Sequence, residues 1–198
     1  MEQVIDIRPL KKQMRAELKA ARRSMDGQFK SLADSKICNK LLNMWCVREA
    51  DTVFTYVSTE IEVDTRAFID RLLAAGKTVA VPKCLNDRGL MAFYVIHSTD
   101  DLEKGFFGVD EPKTDICPPA QMTEQSVCIV PAFTFDDEGY RLGYGKGYYD
   151  RFLSSFTGKT IGICYHENLT PALIHGKFDK PVEITVTERK IKSNTVRQ

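Results

Sequence analysis

Gly143, Gly145 and Gly147 alternate with Tyr144 and Lys146 inside the stretch Arg141-Leu-Gly-Tyr-Gly-Lys-Gly-Tyr-Tyr-Asp150, which narrows the architectures open to this chain. A backbone with glycine at every second position takes dihedrals closed to other residues and can come close to a ligand. Just before it, Val127-Cys-Ile-Val-Pro131 reads as a buried strand, and just after it Tyr148-Tyr-Asp-Arg-Phe-Leu153 reads as the first turns of a helix. A flexible loop that carries exposed N–H groups and a lysine to a helix start suits anions, above all phosphates.

Neither common phosphate loop is present. In a Walker A loop Gly145-Lys146 would be followed by Ser or Thr and preceded five positions earlier by glycine; here Gly147 follows and Tyr140 precedes. The dinucleotide fingerprint fails because Tyr148 stands where its last glycine belongs. A glycine-rich turn over two core tyrosines is the plainer reading. Arg141, Lys146 and Asp150 in one strand–loop–helix frame favour a ligand site.

The 198 residues suit a single α/β domain spanning 1–198, able to bury a core without crosslinks. A formal charge of +1 gives no overall attraction to nucleic acid or membrane, and no apolar run reaches about 18 residues. The expected partners are small molecules, and the expected state is a monomer or weak homodimer. Glu2, Asp6, Arg8, Lys11 and Lys12 stand where a secretory leader would need an apolar stretch. Six cysteines accompany three histidines with no Cys-x-x-Cys, so zinc is disfavoured. Cys128 and Cys164 lie in apolar runs and read as small core residues, and a reducing, cytoplasmic setting is expected.

Residues 8–46 read as two helices divided by Met25-Asp-Gly-Gln28, with Leu10, Met14, Leu18 and Ala21 as the apolar stripe of the first. Strands are expected at 51–58, at 77–81 with Pro82 as the stop, at 90–96, 127–131, 160–165 and 183–186. Asp64-Thr65 would start a helix that ends at Gly76, another would run from the glycine loop to Phe156, and Pro171 would open a short one. Residues 98–126 read as loop with one structured turn near Gly105–Gly108. Strands alternating with helices imply a mostly parallel sheet flanked by helices, with ligands beyond the carboxyl ends of its strands.

Four side-chain groups carry possible chemistry. Lys11, Arg15, Lys19 and Arg22 or Arg23 share one face of the first helix, either as a solvated basic stripe or as a phosphate clamp folded over the glycine loop. Glu60, Glu62 and Asp64 alternate after the first strand, either as a polar edge or as a source of a carboxylate, Glu62 above all, for an amide-like ring edge. Tyr56, Phe133, Phe135, Tyr144, Tyr148 and Tyr149 could wall a flat heterocycle, some of them serving only as core. Asp150 reads equally as a magnesium ligand beside phosphates and as a helix-start aspartate. Asp136-Asp-Glu-Gly139 reads as a turn.

At these residues the chain resembles the 5-formyltetrahydrofolate cyclo-ligase family. The likeness spans nearly the whole chain and is strongest from Pro131 to Asp150; Lys11-Lys-Gln-Met-Arg15, Glu62-Val-Asp-Thr65 and Thr187-Glu188 carry weaker parts of it. The resemblance implies a fold similar to that of sugar-phosphate isomerases and CoA transferases. It also implies MgATP-driven closure of 5-formyltetrahydrofolate to 5,10-methenyltetrahydrofolate. It assigns ATP to Lys11, Lys12, Arg15 and the run Arg141, Leu142, Gly143, Tyr144, Gly145, Lys146, Gly147, Tyr148 and Tyr149. Folate falls to Val57, Glu62 and residues 144–148, magnesium to Asp150, and the reaction itself to Lys146, Arg141 and Tyr148. The rival readings are a folate- or nucleotide-binding module without turnover, and an isomerase or CoA transferase on the same scaffold. The second needs a dedicated base or acyl-accepting glutamate near the loop, and the sequence offers no clear candidate.

Overall fold

The computed structural model describes residues 7–105 and 108–194, so Glu2 and Asp6 lie outside the described residues. Three helices come first: α1 (Arg8–Arg23), α2 (Gly27–Asn43) and α3 (Trp45–Glu49). Pro9 pre-sets the first turn of α1, and Asp26 caps α2 by accepting the Phe29 N–H at 2.8 Å. The second expected helix therefore ends at Asn43, and α3 is a separate turn.

A seven-stranded sheet follows, ordered β11-β10-β9-β6-β1-β2-β3. Its members are β1 (Thr52–Phe54), β2 (Thr78–Cys84), β3 (Met91–Ile96), β6 (Val127–Pro131), β9 (Lys159–Ile163), β10 (Ile184–Val186) and β11 (Ile191–Ser193). The four inner pairings, β2–β1, β1–β6, β6–β9 and β9–β10, are parallel, as expected. The two outer pairings, β2–β3 and β10–β11, are antiparallel. Their connections are too short for a crossover helix, which parallel neighbours require.

β6 and its neighbours are near-continuous apolar runs because both faces of the sheet are covered. Val53, Val79, Val81, Ile129 and Ile161 pack toward α2, α3 and α4 (Arg66–Ala74) with Ile37, Leu41, Phe68 and Leu72. Phe54, Ala80, Cys128 and Val130 alternate with them and face α5 (Tyr148–Leu153), whose Phe152 packs tilted on Phe54 while Phe156, just beyond the helix, meets it edge-on. Cys128 and Cys164 are core residues, as their apolar runs predict, and all six cysteines are free thiols.

Several boundaries differ from the sequence reading. Only Thr52–Phe54 of the 51–58 run is strand; the chain then leaves the sheet. Pro82 does not stop β2, which continues to Cys84. β1 pairs β2 only as far as Ala80, so at Pro82 there is no ladder on that side for a missing N–H to break. The 98–126 stretch holds a hairpin, β4 (Leu102–Lys104) with β5 (Asp110–Pro112), in addition to the expected turn, which Gly108 N–H closes onto the Gly105 carbonyl at 3.3 Å. A second small hairpin, β7 (Thr134–Phe135) with β8 (Arg141–Leu142), leads into the glycine loop. The helix after that loop ends at Leu153, short of Phe156.

No helix opens at Pro171. The segment from 171 to 182 is irregular, and its N–H groups go elsewhere: Leu173 to the Asp136 carboxylate, Gly176 to Asp179, Lys180 to Asp150 and Val182 to the Gly139 carbonyl. Asp136 to Gly139 is a turn, with the Asp136 carboxylate accepting from the N–H groups of Glu138 and Tyr140. Among the described residues no helix is long and apolar enough to cross a membrane.

Candidate active site

The sheet reverses direction between β1 and β6: β1 leads outward to β2, and β6 leads the other way to β9 and β10. Such a switch point leaves a crevice beyond the carboxyl ends of the two strands. A cleft of about 540 Å³ occupies it, lined by Tyr56 and Val57 after β1, Pro131 at the end of β6, and every residue from Arg141 to Asp150. The glycine loop is thus wall rather than surface turn. A more open polar depression of about 1040 Å³ lies alongside, between α1, α2 and α4, and shares Thr59, Val109 and Asp110 with the cleft.

At one end of the cleft the loop meets α1. Arg15 donates from Nε to the Gly143 carbonyl at 2.7 Å, and Lys11 pairs with Asp179 at 2.6 Å. Gly145 and Gly147 have φ of 93° and 72°, in the left-handed region that favours glycine. A Cβ on Gly145 would stand 3.1 Å from the Arg15 guanidinium carbon. Burial lowers the pKa of Arg15, and Asp179 acts against that shift. For Asp179 burial pushes the carboxyl up, but the Lys11 hydrogen bond, the Gly176 N–H and the Lys11 and Arg141 charges outweigh it and hold the carboxyl below its usual range.

Arg141 pairs with Asp150 at 2.7 Å, and Asp150 also accepts the Lys180 N–H. The sequence reading gave these two residues separate duties, whereas the fold places them in contact. Lys146 is exposed on the loop and lines the cleft. Lys12 is exposed on α1 and is not among the residues lining the cleft. Of the rest of the basic face, Lys19 and Arg23 border the neighbouring depression. Arg22 is 4% exposed and donates to the carbonyls of Ile61, Ala132 and Phe133. It braces the chain just beyond β1 and β6 rather than meeting solvent. Lys11, Arg15 and Arg22 of α1 dock together with half-buried Met14 and Leu18, while Leu10 and Ala21 of the expected apolar stripe are exposed, as are Lys19 and Arg23.

At the other end the lining is aromatic, aliphatic and carboxylic. Tyr56, Tyr144, Tyr148 and Tyr149 reach the cleft; Phe133 backs Tyr144 at 4.5 Å, and Phe135 is core beneath Gly162. The Tyr148 hydroxyl donates to the Asn86 carbonyl at 2.6 Å, and burial, with Cys84 beside it, pushes its pKa up to about 12. Burial and the nearby Glu62 raise Tyr144 well above its ordinary value. Glu62 is 7% exposed, and its Oε2 accepts from both the N–H and the hydroxyl of Thr59 at 2.8 Å. Glu111, on β5, is 3% exposed; its Oε1 accepts the Cys84 N–H, while Oε2 has no partner. The Tyr149 hydroxyl is likewise buried without a partner.

Asp179 and Glu111 were missed by sequence reasoning. Neither sits in a periodic element or a recognisable motif; one is in an irregular segment and the other in a three-residue strand. Thr187-Glu188 lies away from the cleft. Glu188 accepts the His166 N–H and the Thr187 carbonyl accepts from Lys40, which ties the end of β10 to its surroundings. Among the described residues no three His, Cys, Asp or Glu stand together as a metal cage.

The fold and site define an α/β protein whose switch-point cleft joins a cation-and-glycine end to an aromatic, carboxylate-bearing end. The sequence profile of the 5-formyltetrahydrofolate cyclo-ligase family matches residues 8–188, and the chain belongs to that family. It is 27% identical over 201 residues to a probable 5-formyltetrahydrofolate cyclo-ligase of Schizosaccharomyces pombe, covering 93% of this chain and 98% of that one. It is also 27% identical over 178 residues to the 5-formyltetrahydrofolate cyclo-ligase of Escherichia coli K12, covering 88% and 98%. Among solved structures, the NMR structure of Aquifex aeolicus 5,10-methenyltetrahydrofolate synthetase superposes with a TM-score of 0.81 at 28% identity, covering 96% of this chain and 94% of that one. A 5,10-methenyltetrahydrofolate synthetase from Mycoplasma pneumoniae shares the fold at a TM-score of 0.72 and 22% identity, covering 90% and 98%.

Proposed function

We propose that this chain uses ATP to close 5-formyltetrahydrofolate to 5,10-methenyltetrahydrofolate, with both substrates held in the switch-point cleft. The observation that carries the reading is that one continuous cleft has an end fit for phosphates and an end fit for a flat heterocycle, in a chain of the cyclo-ligase family.

A formyl amide is too poor an electrophile for a neighbouring amine. When its oxygen attacks the γ-phosphorus and ADP leaves, the formyl carbon gains a good leaving group. Nitrogen 10 then attacks that carbon, loses its proton, and phosphate departs as the ring closes. Such a sequence needs alignment and charge stabilisation more than a side-chain nucleophile. Lys11, Arg15, Arg141, Lys146 and the N–H groups of the glycine loop supply positive charge and donors at the phosphate end. Tyr148 stays protonated at neutral pH, so its part is to shape the wall beside Cys84 and Glu111 rather than to take a proton.

The donor set fits magnesium as well, since this ion takes one or two carboxylates with phosphate oxygens and waters. Asp150 would hold it, with Asp179 as the second carboxylate lining that end of the cleft. Bound there, the ion would neutralise charge on the phosphate oxygens.

Incubation with folinate and MgATP, followed by the absorbance of the methenyl product and by phosphate release, tests the proposal. Absorbance growing with equimolar phosphate is the expected result. Binding of both compounds without product would make the protein a binding module, and failure to bind folinate would end the folate reading.

A further inference from the structure

The folate carboxylate implied by the sequence is Glu62, yet in the folded chain its Oε2 is already engaged twice by Thr59, and Tyr144 stands against it. Glu111 is the opposite case. It lines the same cleft and is 3% exposed, and one of its oxygens is fixed by the Cys84 N–H at 3.2 Å. The other, Oε2, is buried with no donor. A buried carboxylate oxygen without a donor is costly, and a fold retains one where something else completes it.

The placement of Glu111 is built. β5 pairs with β4 at Glu103 opposite Glu111, and the hairpin packs against β2, whose Cys84 supplies the N–H. Its carboxylate lies against the backbone of Gly105, where a Cβ would stand 2.1 Å from Oε2. Only a residue without a side chain leaves room for the carboxylate there. Pro82, Met91 and Tyr148 line the cleft beside it, a low-dielectric wall in which a charged acceptor acts strongly on a ligand donor.

We propose that Glu111 is a specificity-determining contact for the reduced pteridine, its Oε2 accepting a hydrogen bond from the exocyclic 2-amino group or from N8–H. This rests on the folate reading above and deepens it. The reduced pterin of folinate carries both donors. Glu111 therefore discriminates folates, and Arg15 and the glycine loop hold the nucleotide.

The test is folinate affinity, by titration calorimetry, for wild type, Glu111→Gln, Glu111→Ala and Gly105→Ala. ATP affinity and the urea midpoint are measured in parallel. Glu111→Ala is expected to weaken folinate about 10-fold or more, leaving ATP within twofold; Glu111→Gln, which keeps an acceptor oxygen, loses less. Gly105→Ala displaces the carboxylate without removing it and is expected to resemble Glu111→Ala. The penalty of Glu111→Ala is then measured with two folate analogues, one lacking the 2-amino group and one with carbon in place of nitrogen 8. Its disappearance with either identifies the donor. Unchanged folinate affinity in folded Glu111→Ala, or a penalty that persists with both analogues, overturns the proposal. Wild-type protein that fails to bind folinate at all would instead bring down the folate reading, so the two failures are distinct.

Discussion

The two ends of the cleft are built by opposite means. The phosphate end is held by charged contacts between distant parts of the chain: Lys11 to Asp179, Arg15 to Gly143, Arg141 to Asp150. Its loop residues Gly145 and Lys146 are exposed. The ring end is closed, with Tyr56, Val57, Glu62 and Glu111 each under a tenth exposed. One end is therefore adjustable and ion-like, the other pre-formed and shape-selective. Substitutions at the closed end should change stability and folate recognition, and those at the open end should change nucleotide handling with little change in stability.

Arg22 stands behind the closed end and gives the hardest test of that division. Arg22→Ala would leave carbonyls of Ala132 and Phe133, accepting at 2.6 and 3.0 Å, without their donor. The expected loss of stability is about 3 kcal/mol, since hydrogen bonds from a charged group are among the stronger ones and the carbonyls stay buried. A urea melt reads it directly. A loss below about 1 kcal/mol would mean the frame behind the cleft holds without the guanidinium.

At the open end the largest effect should be kinetic. Lys146→Ala is expected to lower kcat about 100-fold, the range for removing one group that stabilises transition-state charge. The KM for folinate should stay within about twofold and the urea midpoint nearly unchanged, as for exposed positions generally. Unchanged turnover would remove the Lys146 side chain from the mechanism and leave the work to the loop N–H groups.

Sequence periodicity and residue type exposed the glycine loop, Glu62 and the aromatic wall well, and the carboxylates of short or irregular segments poorly. The Arg141–Asp150 loop could be read because alternating glycines, a preceding apolar run and a following helix are local signals, and all appear in the fold. The inner parallel strands were readable for the same reason: two buried faces demand unbroken Val and Ile. Pro82 misled because its effect depends on whether a neighbour strand is present beside it, which is a tertiary fact. Glu111 and Asp179 were invisible because a three-residue strand and an irregular segment carry no period. Arg22 looked like part of a solvated stripe, and only the partner carbonyls of distant loops explain its burial.

A finer probe separates loop backbone from loop side chains. Gly145→Ala forces an L-residue to φ near 93° and sets a methyl 3.1 Å from Arg15. The left-handed conformation costs about 1–2 kcal/mol for a residue with a Cβ, so either stability falls by that amount or the loop shifts away from Arg15. In the second case the KM for ATP should rise about 10-fold, since the same 1–2 kcal/mol is then taken from phosphate contacts. Gly143→Ala meets no atom within 4 Å and is the internal control, with no expected change in either measurement.

The smallest expected effect concerns the tie between α1 and the irregular segment before β10. Asp179 is held ionised below its usual carboxyl range despite burial, through Lys11, the Gly176 N–H and the nearby Arg141. A carboxyl depressed on folding stabilises the native state above its unfolded pKa near 3.8. That contribution is lost as pH falls through the lower folded value. Asp179→Asn should therefore reduce stability at pH 7 by up to about 1 kcal/mol, the range for a partly exposed ion pair. The gap between variant and wild type should narrow below pH of about 4, as the wild-type carboxyl takes up its proton. Urea midpoints at pH 7 and about pH 3 make the comparison. A gap of equal size at both values would show that the carboxylate acts through its hydrogen-bonding shape at Gly176, not through charge, and the open end of the cleft would then be less ionic than its contacts suggest.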